Sequence, residues 1–133
     1  MSYAYYIVTR EGIDGFDPFV NGKAIAQADE KVFERLCNVL KVRPLTDFIS
    51  QDPDDLADFI EGEGLNVPDA LPDEVWFDAE DGLVVVRALR QYLSTHPNAL
   101  NNAAAISDEL AEYQAVLERI QQAQVQWHLA VDF

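Results

Sequence analysis

Basic residues are scarce in this chain, and cysteine and histidine scarcer still. Nine Lys and Arg stand against twenty-four Asp and Glu, a formal net charge of −15 over 133 residues. A field of that sign repels DNA, RNA and anionic lipid, which excludes direct nucleic-acid binding and membrane-surface binding and favours a basic partner. Cys37 is alone, so no internal disulfide forms. Its helical spacing from Phe33 and Leu40 makes it a small buried hydrophobe rather than a reactive thiol. No run approaches the ~20 apolar residues that cross a bilayer. No basic segment followed by an apolar run and a cleavage site opens the chain, so the expectation is a soluble, cytoplasmic protein. G-x-S-x-G, P-loop, G-x-G-x-x-G, C-x-x-C and H-E-x-x-H are all missing, and with them the motif-borne routes to nucleotide, redox, metallopeptidase and acyl-transfer chemistry. Repeats and low-complexity tracts are missing too.

What is present suits one globular domain, residues 1–133. Hydrophobic residues make up 49% of the chain, enough for a core at this length without metal or disulfide support. The stretch Val75 to Leu93 organises it. A short strand-like piece, Val75 to Phe77, leads to Asp78 at a helix N-cap, with Glu80 and Asp81 in the first turn, where carboxylates suit the helix dipole. Leu83, Val86, Leu89 and Leu93 then fall on one helical face, widened by Val84 and Val85, and His96-Pro97 closes the helix.

Around this stretch, Tyr3 to Thr9 reads as a strand apolar on both faces. Asn21-Gly22 turns into a helix over Ala24 to Val42, with Ile25, Ala28, Val32, Leu36, Val39 and Leu40 inward. Pro44 ends it, and Leu45 to Ile49 makes a short helical turn. Asp52-Pro53-Asp54-Asp55 starts a brief helix that buries Leu56, Phe59 and Ile60 and stops at Gly62 or Gly64. A long helix over Ala103 to Gln124 carries Ile106, Leu110, Tyr113, Leu117 and Ile120 at 4-3-4-3 spacing, the seam of a packed helix pair. Val125 to Phe133 alternates as a strand with one buried face and belongs beside Tyr3 to Thr9. The fold class is α+β: a small sheet including the N- and C-terminal strands, packed by about four helices.

Gly22-Lys23-Ala24, Val42-Arg43-Pro44-Leu45-Thr46-Asp47-Phe48-Ile49-Ser50, Trp76-Phe77 with Gly82-Leu83, and Trp127 to Phe133 together resemble a set of small bacterial proteins to which no function is assigned. The resemblance spans most of the chain and implies no catalytic or binding residue.

The acids are unevenly placed. Thirteen fall between Asp47 and Asp81, with no Lys or Arg among them. Within that stretch Asp52, Asp54, Asp55, Asp58, Glu61, Glu63, Asp78, Glu80 and Asp81 are the candidate partner-binding residues, in the manner of an inhibitor, immunity protein or nucleic-acid mimic. Neither acidic run is a calcium loop. In the first, Leu56 and Ala57 occupy the ligand and glycine positions; in the second, Gly82 comes one place early. No metal and no cofactor is implied. The alternative is a small enzyme or ligand-binding domain with its pocket near His128, Tyr6 and Arg87. An internal pairing of His128 with Asp132 fails, because i and i+4 on a strand lie ~13 Å apart at ~3.3 Å per residue. The long apolar seam and two apolar terminal strands add the expectation of a homodimer.

Overall fold

The two ends of the chain meet. Strand β1 (Ala4–Thr9) runs antiparallel to β2 (Trp127–Asp132), with Tyr5 opposite Val131, Ile7 opposite Leu129 and Thr9 opposite Trp127. The computed structural model describes residues 4–20, 22–28, 30–50, 52–68 and 73–132. Tyr3 of the expected first strand, Asn21 of the expected turn, Asp69 of the acidic stretch, Pro72 of the loop and Phe133 lie outside them. The ribbon is widened by single bridging residues: Gly22 pairs with Tyr5, Phe77 with Trp127, and Ile49 lies parallel to Leu129. Both strands therefore have neighbours on both edges. The expected strand over Val75 to Phe77 contracts to the Phe77 bridge.

Five helices follow in order among the described residues: α1 (Lys23–Gln27), α2 (Glu30–Val39), α3 (Pro53–Gly62), α4 (Ala79–Thr95) and α5 (Ala103–Ala123). A 3-10 turn over Leu45–Phe48 lies between α2 and α3. The single helix expected over 24–42 is thus two, broken where Ala28 turns extended at ψ 152°. The break frees α2 to choose its own inward face. Phe33, Leu36 and Cys37 take it, while Val39 is 65% exposed and Val32 also reaches solvent. Two stripes competed here, and the one carrying the aromatic ring buries more apolar area.

The core lies between α4, α5 and one face of the ribbon. Ile106, Leu110, Tyr113, Leu117 and Ile120 of α5 are all buried, as their spacing requires, and α4 is the helix they pack on. On α4, Val85 joins Leu83, Val86, Leu89 and Leu93 inside, but Val84 stays 50% exposed. Trp127 is the largest buried side chain. It stacks on Phe48 at 5.0 Å, and its Nε1 donates to the Asp78 carbonyl at 3.1 Å. Gly82 lets it in, because a Cβ there would collide with Trp127 Cζ2 and stand 3.1 Å from Leu117 Cδ1. Asp78 occupies the N-cap of α4 as expected, yet its side chain accepts from Gln126 Nε2 at 3.3 Å instead of capping the helix. Glu109 of α5 supplies a cap the sequence did not announce: its two oxygens accept from the Ala24 and Ile25 amides at 2.8 and 3.0 Å.

Three helices end alike. Val42 N donates to Cys37 O, Leu65 N to Ile60 O and Val125 N to Ile120 O, each following a residue with positive φ: Lys41 (58°), Gly64 (76°) and Gln124 (59°). These are Schellman closures, and only one has the glycine the left-handed conformation favours.

The seam that suggested a homodimer is covered by α4 of the same chain, and the terminal strands are bridged along both edges. Those apolar surfaces are used within the chain. Among the described residues no helix is long and apolar enough to cross a membrane.

Candidate functional site

The acidic candidates fall on two elements. Asp52 caps α3, its Oδ1 accepting from Asp54 N at 2.8 Å with Pro53 at the first helical position. Asp54, Asp58 and Glu61, at i, i+4 and i+7, then form one stripe of α3, with Asp55 beside it and Glu63 just past the end. These five are exposed and Asp52 is half-buried. Among the described residues none of the six has a Lys or Arg at ion-pair distance; the one such pair is Arg43 with Asp47, at 3.9 Å. Asp78, Glu80 and Asp81 lie at the start of α4, also exposed. Two of them are engaged, Glu80 accepting from Gln121 Nε2 at 2.6 Å and Asp78 from Gln126.

The sequence made α3 a helix that buries Leu56, Phe59 and Ile60. In the structure α3 buries no residue: Phe59 is 38% exposed, while Leu56 and Ile60 are half-covered. This corrects the expectation, and the reason is topological. The chain leaves the sheet at Ser50, whose amide donates to Leu129 O at 2.8 Å, and returns at Val75, whose amide donates to Ser50 Oγ at 2.8 Å. The acidic segment between starts and finishes at the same spot beside β2, so its helix is not threaded through the core.

His128 is buried at 1% exposure, the one buried polar side chain among the described residues. Its ring lies 4.5 Å from Trp76, its Nδ1 is 3.0 Å from Leu129 O, and its Nε2 is 2.6 Å from Glu74 Oε2. A histidine–carboxylate couple therefore exists, built with Glu74, 54 residues away in sequence. Asp132 is not the partner observed, and its side chain is outside the described set. Burial on both faces of β2 corrects the expectation of one covered face. Ala130, expected outward, is also buried. Neither Glu74 nor Trp76 was legible as a site residue, since no spacing rule relates a loop to a strand so far along the chain.

The alternative trio does not converge. Tyr6 lies on the same ribbon face as His128, one pair further along, with its ring 5.8 Å from Phe19. Arg87 is exposed on α4, the helix that meets Trp127 on the opposite face of the ribbon. Concavities among the described residues include three. One of about 50 Å³ lies among Tyr5, Phe33, Glu34 and Thr46, and one of about 520 Å³ among Gln27, Asn98, Asn101 and Asn102. The third, about 530 Å³, is lined by Arg90, Gln114, Glu118 and Arg119. None of the three is lined by His128, Tyr6 or Arg87.

Among the described residues no three His, Cys, Asp or Glu side chains are grouped to hold a metal ion. Cys37 is fully buried, and burial, assisted by the nearby Glu34 and Asp47 charges, pushes its thiol up to about 11. A thiol held neutral is a poor nucleophile. No family model, curated protein or solved structure matches the chain.

Proposed function

We propose that this protein is an acidic interaction domain that docks a basic protein surface through the outer stripe of α3. One observation carries the reading: a helix that buries no residue of its own presents Asp54, Asp55, Asp58 and Glu61 to solvent with no Lys or Arg at ion-pair distance among the described residues. Like charges at helical spacing destabilise an isolated helix by a few tenths of a kcal/mol per pair. A cationic partner would remove that repulsion, so the arrangement favours the bound state. The acids at the start of α4 belong less to this surface, because Gln121 and Gln126 engage two of them. The inhibitor, immunity-protein and nucleic-acid-mimic roles share this physics and differ in the partner.

The test is a pull-down from the source cell at low and high salt, repeated with a D54N/D55N/D58N/E61Q variant. These residues are exposed, so the variant keeps its fold. The expected result is a basic partner retained at low salt and released at high salt, since exposed charges are screened over ~8–10 Å at physiological ionic strength. The variant should lose about tenfold or more in association rate, with dissociation little changed. Equal capture by both proteins would leave α3 as a solvated face and nothing more.

A further inference from the structure

The helix expected over 24–42 breaks at Ala28, and a cavity lies at the break. It holds about 50 Å³ and is bounded by β1, α1, the first turns of α2 and the 3-10 turn. A water needs ~10–15 Å³ of such space, so the cavity has room for roughly four groups of that size, a short hydrocarbon chain.

Its lining is graded from inside to outside. Ile25, Phe33 and Leu45 are buried and make an apolar floor. Ala28 and Thr46 are half-buried, and Glu34, at the rim, is exposed. Among the described residues no Lys or Arg lies at ion-pair distance from the Glu34 carboxylate. Arg43, two residues before the 3-10 turn, is held over the rings of Phe48 and Phe77, at 4.8 and 5.2 Å, and pairs with Asp47. The rim charge is felt inside the domain as well. Burial, with the Glu34 and Asp47 charges behind it, pushes the Cys37 thiol, three residues along α2, up to about 11.

That order of surfaces selects a ligand by shape and charge. An apolar floor takes hydrocarbon, and a carboxylate at the rim takes a cation, as does the field of a chain at −15. The two must stand at opposite ends of the ligand. A lysine side chain from another protein presents them the wrong way round. Its ammonium would enter first and lose its hydration against Ile25, Phe33 and Leu45. A free amine enters tail first and leaves its charge at the rim. We propose that this cavity binds a small primary alkylamine, with the hydrocarbon tail on Ile25, Phe33 and Leu45 and the ammonium on Glu34. The site stands apart from the docking role of α3 and is tested without a partner.

The experiment is an NMR titration of the full chain at neutral pH and low salt, where an alkylamine is cationic. The probes are n-butylamine, n-butanol and butyrate, alike in length and different in charge. Butylamine should shift the methyl resonances of Ile25 and Leu45 saturably, at about millimolar concentration, as befits so small a ligand. Butanol should bind about two- to fivefold more weakly, the range an exposed ion pair supplies, and butyrate more weakly still. Glu34→Gln, a change at an exposed position, should bring butylamine down to the level of butanol. Nα-acetyl-lysine amide should leave both methyl groups unmoved. The proposal is overturned if butylamine moves neither methyl group or binds no better than butanol. It is also overturned if Glu34→Gln keeps the preference for the amine, or if the lysine derivative competes on equal terms.

Discussion

Alanine for glycine inside a helix ordinarily stabilises, by about 1 kcal/mol. At Gly82 the sign should reverse. The new methyl would collide with Trp127 Cζ2 and come within 3.1 Å of Trp127 Cε2 and Leu117 Cδ1. None of these atoms has room to yield, since both side chains are buried at 1% exposure. The indole is held by Phe48 on one face and by its bond to the Asp78 carbonyl. Overpacking a fixed core costs about 1–3 kcal/mol. With a rigid ring as the obstacle the upper end applies, and subtracting the propensity gain leaves a net loss of ~2 kcal/mol. At ~2.1 cal/mol/K per residue, 133 residues give an unfolding entropy near ~0.28 kcal/mol/K. The loss therefore lowers Tm by roughly 7 °C. Gly62, the last residue of α3, is the internal control, because a Cβ there meets nothing within 4 Å. Its alanine should hold Tm or raise it by roughly 2–3 °C. Calorimetry on the two variants reads the difference directly. If Gly82→Ala melts at or above the wild-type temperature, the packing of Trp127 against α4 is not as described.

Other outcomes follow from the same structure. Lys41→Gly and Gln124→Gly should each stabilise by about 0.5–1 kcal/mol, because relief of a left-handed L-residue (~1–2 kcal/mol) exceeds the entropy glycine adds to the unfolded chain; urea midpoints that fall would refute this. Alkali should destabilise the protein. Cys37 is raised from 9.0 to about 11 by burial, and burial also lifts Tyr113 above the ordinary tyrosine value. The unfolded chain then ionises first: the stability is complete below about pH 9 and drains away as pH climbs toward the folded values. Equal urea midpoints at pH 8 and pH 10 would contradict it. Sedimentation at micromolar concentration should give a 14.9 kDa species, since the α5 seam and the strand edges are engaged within the chain; a 1:1 self-complex would show that another surface does the pairing.

Periodicity and local chemistry carried much of the architecture. The 4-3-4-3 spacing of Ile106 to Ile120 needs only the geometry of a helix to define a buried face, and α5 buries it whole. Strict alternation from Val125 onward, with an apolar strand at the other end of the chain, was enough to pair β2 with β1. Asp52-Pro53 set the start of α3 because cap and proline act within one turn. Composition alone set the charge at −15, since net charge is a sum and needs no fold. What spacing could not supply were choices between equals and contacts between strangers. Val32 with Val39 and Phe33 with Cys37 were both admissible stripes of α2, and only the neighbours on the far side of the core could select one. The apolar face of α3 was a sound pattern that the tertiary structure leaves only half-covered, because the chain leaves and rejoins the sheet at one point. His128 had no partner readable along its own strand, and a loop 54 residues away laid Glu74 and Trp76 against it. A helix or a cap is decided by residues within a few positions of one another. A partner for a buried imidazole is decided by which distant segments the closed chain brings to the same place.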